Sequence, residues 1–410
     1  MDPAVRTTNP LHTLKIPSFR WLIIGHTASS LGDQFYLIAL PWLALQLTGS
    51  GVALGSVLAA AAVPRALFMI FGGALADRFS PKTVLLVSSL ASTIINVLFA
   101  ALILTESVQT WHLYIFAVAL GLVDAIAFPA ATALVPKLVQ KTQLNAANAL
   151  IGLVTQVTTF LGPGLAGLVI AQFGSGAAFV GSVIASLIAI IGISQIRYQH
   201  KTPTSTAFGP RAALNDIQKG FVYTWKNKSL RAVIGLLAAI NLMLIGPILV
   251  GGGLLANTRF GGVDAFGWMV SAWGAGGLIG AIAAGAVSIR RVEWLLLAAS
   301  SIIGIGMIAF GFAPTLLLTL LVVVTMGCAN GWLEVYATTW LQVQAGDSMQ
   351  GRVMGITAVA ALGLEPISYA LTGVLAELGL ATLFLSAGGA LLIATAIAAT
   401  SRSLRNARSE

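Results

Sequence analysis

The chain has 410 residues, of which 57% are hydrophobic and only 9% charged, against about 25% charged in a soluble domain; a water-facing surface is thereby excluded over most of the molecule. The net charge of +9 does not point to nucleic acid, because the basic residues fall in short clusters between apolar runs and no stripe pairs them with stacking aromatics. A single cysteine, Cys328, excludes an internal disulfide, and no zinc set, HExxH helix, P-loop or GxSxG elbow is present, so no metal, cofactor or enzymatic centre is expected.

In chain order, the first eighteen residues are polar and hold Pro3, Pro10 and Pro17, unlike a cleavable signal peptide, so the first apolar run is expected to direct insertion itself. A bilayer core needs about 20 apolar residues per helix. Twelve runs meet that need: 20–47, 51–76, 82–105, 111–136, 144–172, 176–196, 231–256, 264–288, 293–312, 314–341, 352–377 and 380–400. The expected fold class is an all-α membrane protein with twelve transmembrane helices in two six-helix bundles, 1–196 and 231–410, joined by a polar connection over 197–230. Residues Ala212–Asn227 of that connection read as a short amphipathic helix at the membrane surface.

Charge sets the orientation. Apart from Arg65, within a span, and Arg259, the 22 lysines and arginines lie at the two ends of the chain and in alternate connections. The opposite connections, such as "LTGSG" (47–51) and "TESVQT" (105–110), hold none. The positive-inside rule then places both termini and the central connection in the cytoplasm, with the chain in the cytoplasmic membrane. The two halves also look weakly related. "VPKLVQKTQLNAANALIGL" (135–153) and "VQAGDSMQGRVMGITAV" (343–359) occupy matching places, as do "GALADRFSPK" and "GAVSIRRVEW" (285–294). Paired halves with a site near the midplane are a common transporter plan.

The stretch "FGGALADRFSPKTVLL" (71–86) carries a more specific signal. Gly73, Leu75, Asp77, Arg78 and Lys82 match the GxLaDrxGrK signature of the major facilitator superfamily, although Ser80 and Pro81 replace its second glycine and an arginine. The chain is identified as resembling that superfamily throughout, with a degenerate copy of the signature in its second half. The resemblance implies that Asp77 contacts the start of the eleventh span near Gly351 and Arg352 and latches the cytoplasmic side. A carboxylate at a helix N-terminus gains about 0.3–1 kcal/mol. The alternative is a solvated loop charge that helps orientation, which fits Lys82 equally well.

"SSLGDQFYLIALPWLALQLTGSGVALG" (29–55), "AFPAATALVPKLVQKTQLNAANAL" (127–150) and "GRVMGI" (351–356) resemble the bacterial branch holding macrolide and siderophore exporters, which includes many proton-driven drug antiporters. "LGPGLAG" (161–167) is similar to an antiporter motif of span five, with Gly162, Pro163 and Gly167 in place and Ala166 standing for a glycine. Proline there removes a backbone donor and glycine permits close helix approach.

Ionisable residues at membrane depth cost at least ~2.5 kcal/mol each on insertion scales, so each needs a reason. Asp33 lies roughly 20 Å into span one and Arg65 roughly 16 Å from the cytoplasmic end of span two, at 1.5 Å rise per residue, so the two depths are similar. A charge pair between them follows, structural or part of transport. Asp124 is central in span four, Glu365 central in span eleven before Pro366, and Glu334 nearer the cytoplasmic end of span ten. The acidic excess makes Glu365, Asp33 and Asp124 candidates for proton coupling, with an interhelical hydrogen bond as the other reading of Asp124. His26 shares a helical face with Asp33 and reads as a hydrogen-bonded histidine. Gln34, Tyr36, Asn241, Trp273, Asn330, Glu334 and Tyr369, with Phe35, Met243, Trp332 and Tyr336, offer an aromatic and polar cavity lining.

The resulting expectation is a monomeric, proton-coupled exporter of amphipathic or cationic small molecules, working by alternating access in the lipid bilayer. An exporter of one metabolite, such as a siderophore, and a sugar or osmolyte facilitator are the alternatives.

Overall fold

The computed structural model describes residues 10–197, 218, 220–287, 291–346 and 349–400, and the side chains of all of these except 10, 70, 71, 73, 74, 76 and 77. Every regular element among them is helical. A short 3-10 turn, Pro10–Lys15, leads into α1 (Pro17–Thr48), α2 (Gly51–Arg78), α3 (Pro81–Leu104), α4 (Thr110–Leu138) and α5 (Leu144–Ser194). After the central connection come α6 (220–226) and α7 (Lys228–Gly246). The seventh span continues from α7 through a π-helical stretch (Pro247–Gly251), one turn α8 (Gly252–Leu255) and a second π stretch (Ala256–Phe260). Then follow α9 (Val263–Ala286), α10 (Val292–Phe312), α11 (Leu316–Ala345), α12 (Gln350–Leu362), α13 (Glu365–Glu377) and α14 (Leu380–Thr400).

Local chemistry sets several of these ends. Pro81 occupies the first turn of α3, where its missing N–H costs nothing. The Asn227 side chain accepts from Ser229 N and Leu230 N and so caps α7, and Thr315 accepts from Leu318 N at the start of α11. Gly261, in the left-handed region at φ 79°, closes the seventh span.

Ten helical segments among the described residues are long and apolar enough to cross a membrane. The expected twelve is reached only when α5 is taken as two arms and α1 is added; Asp33 and Gln34 dilute the hydropathy of α1. The expected connection "QFGSG" (172–176) holds the turn within α5: Gly174 is non-helical, with a φ of 80° that suits a residue without Cβ, and it separates the arm of span five from that of span six. The expected eleventh span is one apolar segment, Gln350–Glu377, in which turn residues Gly363 and Leu364 separate α12 from α13. Most of the expected surface helix at 212–227 lies outside the described residues, and α6 is its described end.

The chain forms two compact units: one from the residues up to Leu40 with those from Val63 to the central connection, the other from Pro41–Ala62 and the chain beyond that connection. In the first unit α3 packs against α4 and α5. Phe99 joins the three, stacked on Phe116 with ring centroids 4.1 Å apart and edge-on to Phe179 at 4.7 Å. In the second unit α9 and α11 cross at the GxxxG pairs Gly276/Gly280 and Gly327/Gly331. A Cβ on Gly276 would stand 2.2 Å from the Val324 carbonyl oxygen, and one on Gly331 2.3 Å from that of Gly277. With lipid tails as apolar as leucine, such backbone approach supplies the packing that drives helices together. α10 packs on α14, with Phe310 edge-on to Phe384 at 5.0 Å.

Candidate functional site

In the first unit, three helices bring three charges together. Asp33 of α1 and Asp124 of α4 each interact electrostatically with the Arg65 guanidinium of α2, and Asp33 also with Asp124. Arg65 and Asp124 are half-buried. Asp33 is solvent-accessible, although protein atoms surround it at longer range. The expected Asp33–Arg65 pair is therefore a triad of two acids and one base, an arrangement that one added proton or cation would balance.

The residues around the triad are held by backbone fit. Gly162, Pro163 and Gly167 are all buried in the first arm of α5. Gly162 faces Gln34, the neighbour of Asp33: a Cβ at 162 would stand 2.5 Å from Gln34 Cγ and 2.6 Å from its Cβ. The antiporter-like motif thus forms the notch that seats Gln34. Gln34 Oε1 is sealed from solvent without a hydrogen-bond partner, an acceptor held ready beside the acids. Tyr36, half-buried, is the next polar residue along the same stretch of α1. His26 Nε2 lies 3.0 Å from Thr155 Oγ1, and Thr155 itself donates to the Ile151 carbonyl, so the histidine is the donor in that bond. It ties α1 to the first arm of α5.

The signature stretch is described in part. The side chains of Gly73 and Asp77 lie outside the described residues. Arg78 is exposed, with its guanidinium 5.8 Å from the Phe79 ring centroid. Lys82 donates from Nζ to the carbonyls of Ser194 and Ile196, at 2.8 and 2.6 Å. It therefore binds the C-terminal end of α5, where a cation meets the negative end of the helix dipole. In the second unit Arg352 lies half-buried in α12, its Nη1 3.4 Å from the Met349 sulfur.

The other candidates also belong to the second unit. Glu365 is the first residue of α13, followed by Pro366, at the break in span eleven. Glu365 thus lies in the first turn of α13, the positive end of that helix's dipole, and discontinuous spans are where transporters commonly hold ions and substrates. Tyr369 is buried four residues on, on the same face as Glu365. Trp273 and Asn330 are half-buried on α9 and α11, Glu334 is exposed, and Trp332 Nε1 is sealed without a partner. Asn241 turns back to its own helix, donating to the Leu237 carbonyl at 2.9 Å. Tyr336 is no free wall residue, since its hydroxyl donates to the Ala284 and Val287 carbonyls at the end of α9.

Some residues escaped the sequence reading. Ser368 is fully buried; its hydroxyl donates to the Leu242 carbonyl at 2.6 Å and accepts from Gly246 N at 2.8 Å. Those two groups are four residues apart, so a serine of span eleven bridges span seven one turn before its π stretch. Nothing local marks it. Ser50 donates to Glu377 at 3.0 Å, and a Cβ on Gly55 would meet the Tyr369 carbonyl at 2.4 Å. Here a signal existed, the Gly51-xxx-Gly55 spacing in "GSGVALG".

Comparison with known proteins agrees with this architecture. The chain is 26% identical over 367 residues to the "Multidrug efflux pump Tap" of Mycolicibacterium fortuitum, covering 87% of this chain and 88% of that protein. It is 25% identical to "Uncharacterized MFS-type transporter YfiS" of Bacillus subtilis (strain 168), over 91% and 90% of the two chains. The "Staphyloferrin A transporter" of Staphylococcus aureus (strain NCTC 8325 / PS 47) is 24% identical over 162 residues, 39% of this chain and 41% of that protein. Among solved structures, the nucleoside transporter NupG superposes with a TM-score of 0.73 at 13% identity, covering 93% of this chain and 98% of that one. The D-xylose-proton symporter gives 0.70 at 14%, covering 95% and 97%; these last two likenesses show the fold alone. The family model described as Major Facilitator Superfamily matches residues 22–364, and with its membrane-spanning helices in this fold the chain belongs to that superfamily of multi-pass membrane transporters.

Proposed function

We propose that this protein is a proton-coupled secondary exporter of amphipathic or cationic drugs, working by alternating access in the cytoplasmic membrane as a monomer with both termini in the cytoplasm. The observation that carries the reading is the Asp33–Arg65–Asp124 triad, with two acids sharing one base on membrane-spanning helices. One positive charge, proton or cationic substrate, completes its balance, and competition between the two is the logic of antiport. Similarity to multidrug efflux pumps over most of both chains supports the same class. Glu365, in the first turn of α13, is the second candidate for carrying the coupled proton.

The test is transport of ethidium by purified protein in liposomes under an imposed pH gradient. Wild type should move the dye against its gradient when the proton gradient runs the other way. Asp33→Asn and Glu365→Gln should each lower gradient-driven flux at least tenfold while dye equilibration without a gradient persists. Wild-type movement indifferent to the pH gradient would refute coupling to protons. A metabolite exporter is the second reading, favoured by similarity to the staphyloferrin A transporter over part of the chain; an anionic siderophore moving where ethidium does not would establish it.

A further inference from the structure

The helix α6 and the first turn of α7 carry an exposed aromatic and basic surface apart from the candidate site. One side of α6 is docked on its own unit. Thr224 is buried, the Tyr223 hydroxyl donates to the Ala345 carbonyl at 3.5 Å, and Gly220 lies on the backbone of Arg352, where a Cβ would stand 2.9 Å from the carbonyl oxygen. The other side is open: Phe221, Val222 and Trp225 are 51%, 44% and 59% exposed. The Phe221 and Trp225 rings stack with centroids 5.5 Å apart. The Arg231 guanidinium sits 5.5 Å over the Trp225 ring and donates to the Trp225 carbonyl at 3.4 Å. Lys226 and Lys228 are exposed beside it, and the sequence from Gly220 to Val263 holds no acid.

An apolar aromatic shelf flanked by three cations, at the entry to a membrane-spanning helix, matches the chemistry of one leaflet boundary. Tryptophan favours the headgroup level, where its ring meets acyl chains and its edge meets water. Basic residues near an anionic leaflet are drawn to its phosphates. We propose that α6 and the start of α7 form a binding site for the headgroup of an anionic phospholipid. Phe221, Val222 and Trp225 enter the acyl boundary, while Lys226, Lys228 and Arg231 hold the phosphate. A choline lipid fits less well, because its own cation would face three like charges. The docked side joins this site to the start of span eleven through Gly220 and Arg352. The assignment is independent of what the transporter carries.

Native mass spectrometry of the full chain with equal amounts of phosphatidylglycerol and phosphatidylcholine tests it. Wild type should retain phosphatidylglycerol in preference. K228Q/R231Q should weaken that retention ~25-fold, about fivefold per basic residue. K137Q/K141Q removes the same charge from another connection and should leave retention within twofold. No headgroup preference in wild type, or equal loss in both double variants, would overturn the site. Inorganic phosphate at the lipid's concentration should not displace it, and displacement would make this a phosphate site and overturn the lipid assignment. In vesicles, brominated phosphatidylglycerol should quench a fluorescence component present in wild type and missing from Trp225→Phe. Its absence would equally refute the proposal without relying on a charge variant that folds.

Discussion

Replacing Gly162 by alanine tests whether the α5 motif acts through α1. The new Cβ would lie 2.5 Å from Gln34 Cγ and 2.6 Å from Gln34 Cβ, about 1 Å inside ordinary carbon contact. Gln34 Cβ is fixed to its helix, so rotation of the side chain relieves the first contact and not the second; the helices must part or α1 must turn. Overpacking of this kind costs about 1–3 kcal/mol, and the displaced residue adjoins Asp33 in the triad. Gly162→Ala should therefore lower the thermal unfolding midpoint in detergent and cut pH-gradient-driven dye flux severalfold. Gln34→Gly removes both clashing carbons at a helix-propensity cost of about 1 kcal/mol. The pair Gly162→Ala/Gln34→Gly should then be more stable than the two single effects sum to, with a coupling of about 1–3 kcal/mol. Additive effects would mean that the two residues do not meet and would refute the notch. Normal flux in Gly162→Ala would show that the motif does not position the triad.

Two further outcomes follow from buried hydrogen bonds. Ser368→Ala removes a hydroxyl bonded to Leu242 O and Gly246 N in a fully buried setting and should destabilise the protein by about 1–3 kcal/mol. Ser386→Ala, whose bond is to the Leu383 carbonyl of its own helix, should cost less; thermal unfolding ranks the two, and the reverse order would argue against a span seven–span eleven bridge. Lys82→Met strips two carbonyls at the end of α5 of their cation and should cost about 1 kcal/mol, visible as faster amide exchange around residues 194–196. A variant with unchanged exchange but lost transport would return Lys82 to the cytoplasmic latch.

The membrane spans were legible because a bilayer imposes a length and an apolar content that no tertiary contact can waive. That constraint set most helix ends to within a few residues, as at 380–400, and made Asp33, Arg65, Asp124 and Glu365 conspicuous in an apolar background. Superfamily membership was legible for a related reason, since the GxLaDrxGrK stretch is a run of local positions. What depended on contacts across helices was not legible. Span eleven reads as one apolar run, yet it breaks at Gly363 and Leu364, where Glu365 and Pro366 open a new helix. Lys82 is a loop charge in sequence and a carbonyl clamp in space, because its partners come from residues 194 and 196. Sequence alone determined that this protein crosses a membrane, in which superfamily, and where its costly charges lie. Only the tertiary structure decided which charges meet, because electrostatics and packing act over ångströms between helices far apart along the chain.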